Sequence, residues 1–180
     1  MQELREIISK SLGVRKIHEI CRIVESDSEA REQIFDLFAD ANARVASNAA
    51  WVATHLSSEA LTSLQMRQNE LITLCMGAAD NVTLQRLLLN LLERQMFTFD
   101  TLRTDFLDFC FEQMMSASAT LGVRSLCVKI AYRLCSTADE LMSELAQYTD
   151  ILMQTELQPG LLGAVMNVRK KMPKHFQNWK

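Results

Sequence analysis

Residues that interrupt regular secondary structure are scarce in this sequence. Only 5 glycines and 2 prolines occur among 180 residues. An all-β fold needs frequent turn residues, so this scarcity argues against one. Leu, Met, Ala, Glu, Arg and Gln are abundant instead, and these residues favour helices. The composition therefore predicts an all-α protein.

Long apolar runs are also missing. Uninterrupted apolar stretches are only a few residues long, for example Leu87–Leu89, and the first six residues, 1–6, are charged and amphipathic. A transmembrane helix needs about 20 apolar residues, and a signal peptide needs an apolar core of its own. The sequence thus predicts no membrane span and no signal peptide, and we expect a cytoplasmic protein.

Cysteines are few and form no ligand motif. Five occur, no two of them form C-x-x-C, and each has apolar neighbours. His18, His55 and His175 are isolated from them in sequence. Structural zinc sites need clustered Cys and His ligands. We therefore expect buried reduced thiols, no metal site and no cofactor.

Catalytic signatures are absent as well. The sequence has no P-loop, no dinucleotide-binding glycine motif, no H-E-x-x-H and no G-x-S-x-G. Asp105, Asp108 and Glu112 share one helix face, but a solvated outer face explains them without a two-carboxylate site. The sequence predicts a protein that is not an enzyme.

Apolar residues recur with helical periodicity almost throughout the chain. The pattern predicts ten helices in five pairs. Asn81, which precedes one apolar run, is expected to cap its helix, as are Ser58, Asp100 and Thr137 at three others. The predicted spans are 2–11 with 13–25, 28–41 with 43–56, 58–78 with 81–97, 100–117 with 120–135, and 137–155 with 159–172.

An internal repeat of 39 residues runs through the second helix of each pair. Val45 is followed at this spacing by Leu84, Val123 and Leu162, and Ala49 by Leu88, Cys127 and Met166. Two helices per repeat of about 40 residues are typical of HEAT and armadillo solenoids, in which stacked pairs bury each other's apolar faces. The sequence therefore predicts an α-α superhelix of about five helix pairs. Arg169 and Lys170 replace the apolar residues in the last turn and predict a polar capping repeat.

The second helices also resemble those of a known family. Gly122–Cys127, with Ile130, Ala131 and Leu134, resembles the second helix of a HEAT repeat, and Ala49–Leu56 resembles the matching stretch of an earlier repeat. Nearly the whole chain is similar to small bacterial HEAT-like (armadillo-type) proteins. The resemblance implies one HEAT-like repeat domain over residues 1–180, with 173–180 as a flexible tail.

Charge separates between first and second helices. The second helices with their flanks hold eleven basic residues and one acid, Glu93, whereas the first helices hold seventeen acids and three bases. In HEAT solenoids the second helices line the concave surface, so the resemblance implies a basic concave face. The residues predicted to bind a partner there are Trp51, His55, Arg86, Arg94, Lys129 and Arg133.

These observations favour a non-enzymatic scaffold that binds an acidic protein or peptide. The alternative is nucleic-acid binding, as in the HEAT-like DNA-alkylation-repair glycosylases, although the net charge of −3 is unusual for a duplex binder. A purely structural charge separation stays open, and so does a packing role for Trp51. The chain is expected to be a monomer or a weak dimer, paired through the apolar edge at Leu4, Ile7 and Ile8.

Overall fold

A computed structural model describes residues 2–176, without the side chains of Gln2 and Thr101. In this part of the chain there are eleven α-helices and no strand. The prediction of an all-α, HEAT-like repeat fold is confirmed. The helices group into two compact units, Met1–Gln95 (unit 1) and Met96–Lys180 (unit 2). That the whole chain acts as one domain stays a prediction.

Unit 1 contains seven α-helices among its described residues. A short 3-10 turn, Leu37–Ala39, extends the third of them. The helices are α1 (Gln2–Ile8), α2 (Val14–Ser26), α3 (Ser28–Asp36), α4 (Ala43–Thr54), α5 (Thr62–Met66), α6 (Gln68–Gly77) and α7 (Val82–Glu93).

Unit 2 contains four α-helices among its described residues. They are α8 (Thr104–Met115), α9 (Leu121–Cys135), α10 (Asp139–Met153) and α11 (Pro159–Lys171). Two 3-10 turns, Phe99–Thr101 and Lys174–Phe176, precede and follow them. The second turn falls within the predicted tail 173–180, of which residues 177–180 lie outside the described part of the chain.

The predicted helix 58–78 is two helices, α5 and α6, separated at Arg67. The Arg67 guanidinium lies 2.8 Å from Asp36 Oδ1 and 2.7 Å from Glu70 Oε1. The hydrogen bond from Arg67 holds the pKa of the Glu70 carboxyl below its ordinary value. This ion-pair cluster ties α3 to α6, so the arginine that interrupts the helix also connects two first helices.

The N-caps of α4, α7 and α9 recur every 39 residues. Asn42 Oδ1 accepts from the Arg44 N–H at 3.0 Å, Asn81 Oδ1 from Leu84 at 3.1 Å, and Thr120 Oγ1 from Val123 at 3.5 Å. Such caps satisfy N–H groups that have no partner within the helix. The cap predicted at Asn81 is confirmed.

The caps predicted at Ser58, Asp100 and Thr137 are wrong. Asp100 lies within the 3-10 turn Phe99–Thr101, and Ser58 lies before α5, whose N-cap is Leu61. Thr137 precedes Ala138, the N-cap of α10, and its hydroxyl donates to the Leu134 carbonyl. Each of these caps was predicted from a polar residue that precedes an apolar run. Such a residue does not by itself fix the position at which the helix starts.

The buried faces of α4, α7 and α9 follow the predicted repeat. Val45, Leu84 and Val123 are buried, and so are Ala49, Leu88 and Cys127 in the next turn. Each equivalent residue therefore faces the core, as the 39-residue spacing predicts. All five cysteines are buried and none is in a disulfide. Burial raises the pKa of the Cys21 thiol to about 11 and that of Cys135 to about 12.

The last helix departs from the repeat by one residue. The N-cap of α11 is Gln158, 38 residues after Thr120, and Leu161 is buried while Leu162 is 38% exposed. The predicted inward position of Leu162 is therefore wrong. The one-residue shift also carries Arg169 to the place of the core residue Ala131. Arg169 is only 5% exposed, and it pairs with Asp150 of α10 instead of forming a polar outer cap.

Candidate partner-binding faces

The exposed sides of the second helices form one face in each unit. We use "second-helix face" for the exposed residues of α4 and α7 in unit 1, and for those of α9 and α11 in unit 2. Of the predicted partner-binding residues, Trp51, His55, Arg86 and Arg94 belong to unit 1. Lys129 and Arg133 belong to unit 2.

Hydrogen bonds at both ends hold α4 and α7 side by side and parallel. At their N-terminal ends, Asn81 Nδ2 donates to the Ala43 carbonyl at 3.2 Å. At their C-terminal ends, Arg94 donates to the carbonyls of Thr54 and Leu56 at 3.2 and 2.9 Å. Residues 39 apart are therefore neighbours on this face, because both helices start and end together.

Trp51 and His55 lie one turn apart on α4 and contact each other. Their rings are oriented edge to face, with 6.1 Å between the ring centroids. His55 Nδ1 lies 3.0 Å from the Trp51 carbonyl oxygen. Trp51 is half-buried and His55 is exposed. The His18 ring of α2 lies 6.0 Å from that of His55. The structure thus brings together an aromatic surface and two imidazoles at one end of the unit 1 face.

Arg86 and Arg94 differ in what their guanidinium groups do. Both side chains are exposed, but Arg94 binds the two carbonyls that flank His55, at the C-terminal end of α4. A cation is favourable there because the last carbonyls of a helix carry partial negative charge. No carboxylate among the described residues pairs with Arg86. Arg86 is therefore a cation of this face that is available to a ligand.

We expect Arg94→Met to destabilise the protein by about 1–2 kcal/mol, because two charge-assisted hydrogen bonds at an exposed site are lost. Arg94→Lys should recover part of this loss, since the positive charge stays near the end of α4. Urea denaturation followed by circular dichroism measures both. Arg86→Met is the matched control and should change stability by less than about 0.5 kcal/mol. Equal effects of the two methionine variants would contradict a capping role for Arg94.

In unit 2, α9 and α11 also lie side by side. The Tyr132 hydroxyl donates to the Lys171 carbonyl at 3.2 Å, and at the other end of the pair Gly160 lies close to the Leu121 side chain. Lys129 is exposed and Arg133 is half-buried. The contact through Tyr132 places the end of α11 beside the end of α9, so Lys171 joins the predicted residues on this face.

The unit 2 face carries charge of one sign. Neither α9 nor α11 contains Asp or Glu. No carboxylate among residues 2–176 pairs with Lys129 or Lys171. Two other basic residues make structural contacts within unit 2. Arg124 donates to the Met114 carbonyl at 3.0 Å, and Arg169 pairs with Asp150. Lys129 and Lys171 can attract an anionic group by charge alone.

Sequence reasoning did not single out Arg44 and Lys171, which are exposed on these faces. Lys171 lies 38 residues after Arg133, so the 39-residue spacing did not align the two. Among the described residues, no three of His, Cys, Asp and Glu are grouped as a metal site requires. No helix in the same part of the chain combines the length and apolarity that crossing a membrane demands.

Comparisons with known proteins identify the family but no near relative. The model of the HEAT repeat domain family matches residues 4–172. No curated protein and no solved structure gives a significant match to the chain. Proteins of this kind present extended surfaces formed by stacked helix pairs and commonly act as interaction scaffolds. Because the family model matches nearly the whole length, the chain belongs to the HEAT repeat domain family.

Proposed function

We propose that this protein is a non-enzymatic scaffold whose second-helix faces bind an acidic segment of a partner protein. The observation that carries the proposal is the absence of acidic residues from α9 and α11, combined with the exposed cations Lys129 and Lys171. In unit 1 the exposed Arg86 lies on the same face as the half-buried ring of Trp51. Aromatic residues beside cations are typical anchors of protein interfaces.

The charge separation would have a purely structural explanation if the basic residues of the second helices only paired with the acidic residues of the first helices. Arg169, which pairs with Asp150, has this structural role. Arg86 and Lys129 do not, because neither has a carboxylate partner among the described residues. Exposed unpaired cations contribute little to stability, so these two residues support a binding role.

The test is fluorescence anisotropy with a labelled 12-residue peptide of Glu and Asp around one Leu. We expect binding that weakens with salt, because added ions screen exposed charges. Arg86→Glu should weaken binding to the unit 1 face and Lys129→Glu binding to the unit 2 face, each by about tenfold, since like charges then face each other. Arg15→Glu makes the same charge change on an α2 side chain that is 95% exposed and should leave binding unchanged.

Two outcomes would decide against the proposal. If Arg15→Glu weakens binding as much as Arg86→Glu and Lys129→Glu, the peptide responds to net charge and not to these faces. A labelled 20-nucleotide DNA or RNA serves as the second probe under the same conditions. Tighter binding of the nucleic acid than of the peptide, with the same two variants defective, would favour the nucleic-acid alternative.

A further inference from the structure

An open groove lies among the first three helices of unit 1. It has a volume of about 400 Å³ and is lined by residues of α1, α2, the N-cap of α3 and α3 itself. Ile23 contributes a side chain that is 52% exposed, and Leu4 and Ile7 are half-exposed beside it. The groove lining comprises Glu3, Leu4, Ile7, Ile23, Asp27, Glu29, Ala30 and Gln33.

Every charged residue that lines this groove is acidic. Glu3, Asp27 and Glu29 are exposed, and no basic side chain is among the lining residues. A groove lined by apolar and acidic side chains fits a segment that combines cations with an apolar side chain. Two such grooves placed against each other would oppose like charges, which disfavours a symmetric dimer through Leu4 and Ile7.

The chain itself carries a segment with the complementary chemistry. No Asp or Glu follows Glu156 in the sequence, and five Lys and Arg residues do. At the end of α11 and in the 3-10 turn after it, Lys171, Lys174 and His175 are exposed, and Phe176 is half-buried. The centroids of the His175 and Phe176 rings lie 4.1 Å apart. Two exposed lysines and one aromatic side chain therefore lie within six consecutive residues.

We propose that the groove of one copy binds the basic surface Lys171–Phe176 of a second copy. The pairing joins two different surfaces, so it is heterologous and need not stop at two chains. Both surfaces are small, and interfaces of this size give weak, salt-sensitive association. The inference shares Lys171 with the second-helix face of unit 2, but it uses neither Lys129 nor Arg86, so variants at those two residues separate it from the proposed function.

Sedimentation equilibrium of the full chain, from about 5 to about 500 μM, tests this pairing. At 50 mM NaCl we expect the weight-average mass to rise above the monomer mass of 20.5 kDa as the concentration increases. At 500 mM NaCl we expect it to stay at 20.5 kDa at every concentration. Ile23→Ser should reduce the association by removing the exposed apolar side chain. A mass of 20.5 kDa at every concentration and both salt levels would overturn the proposal.

Charge exchange identifies the two surfaces. The groove variant Glu3→Lys/Glu29→Lys and the basic-surface variant Lys171→Glu/Lys174→Glu should each be monomeric alone, because both now oppose like charges. An equimolar mixture of the two should associate again, since each supplies a surface complementary to the other. Circular dichroism and thermal unfolding confirm that both variants are folded. The control Glu59→Lys/Asp80→Lys changes two exposed acids outside the groove and should associate like the wild type.

If the groove binds something other than the basic surface of a second copy, the same variants give different results. If Lys171→Glu/Lys174→Glu still associates like the wild type, the second copy does not use this basic surface and the proposal is wrong. If Arg86→Glu/Lys129→Glu abolishes self-association, the groove binds a second-helix face instead, which also overturns it. Association that persists in the folded groove variant would show that the groove takes no part. The acidic-peptide assay is separate, so either proposal can fail while the other stands.

Discussion

Cys127→Asp is expected to destabilise unit 2 by more than about 4 kcal/mol, because it introduces a carboxyl group into a fully buried position. The Cys127 side chain in α9 has no exposed surface and corresponds to the core residues Ala49 and Leu88 of the two preceding second helices. A folded domain is stable by only about 5–15 kcal/mol. The substitution should therefore remove a large share of the stability of unit 2 at neutral pH.

Two matched variants separate charge from volume and polarity. Cys127→Ala removes the sulfur alone and should cost about 1 kcal/mol, whereas Cys127→Asn adds an uncharged polar group of the same size as Asp. The introduced carboxyl is expected to have a raised folded-state pKa, so its extra penalty over Asn should shrink as the pH falls towards about 4. Urea unfolding at pH 7 and pH 4.5 measures these differences. An Asp variant within about 1 kcal/mol of the Ala variant would contradict the buried position of this residue.

Leu161→Ala is expected to cost about 3 kcal/mol, and Leu162→Ala less than about 1 kcal/mol. Leu161 is 1% exposed and leaves a cavity when shortened, whereas Leu162 is 38% exposed and loses little burial. Both changes remove the same atoms from adjacent positions of α11, so differences in helix propensity cancel. The strict 39-residue repeat predicts the opposite order, since it places Leu162 inside.

Urea denaturation of the two variants, measured by circular dichroism at 222 nm, decides between the registers. Leu88→Ala is the reference for a large effect, because Leu88 is fully buried in α7. A larger loss for Leu162→Ala than for Leu161→Ala would restore the 39-residue register in the last repeat. The pairing of Arg169 with Asp150 would then need another explanation, because it depends on the same one-residue shift.

The charge separation between first and second helices was the sequence feature that identified most of the candidate site residues. Sequence reasoning placed Arg86, Arg94, Lys129 and Arg133 on second helices, and the structure agrees for all but Arg94, which is the C-cap that follows α7. It treated the arginines as equivalent, whereas Arg94 binds the carbonyls of Thr54 and Leu56. Those carbonyls lie about 40 positions earlier in the chain, and no local pattern relates a side chain to a carbonyl at that distance. That these residues bind a partner stays a prediction.

By itself, the sequence determined the helical class, the family and most of the repeat. These follow from local features: scarce Gly and Pro, apolar residues at helical spacing, and caps such as Asn81 that recur with the period. Only the tertiary structure decided which of Leu161 and Leu162 faces the core, that Arg169 is buried, and that an acidic groove opens beside Ile23. The sequence alone does not distinguish two adjacent leucines. Which of them is buried depends on the lengths of the connections and on the neighbouring helices, and therefore on packing between segments far apart in the chain.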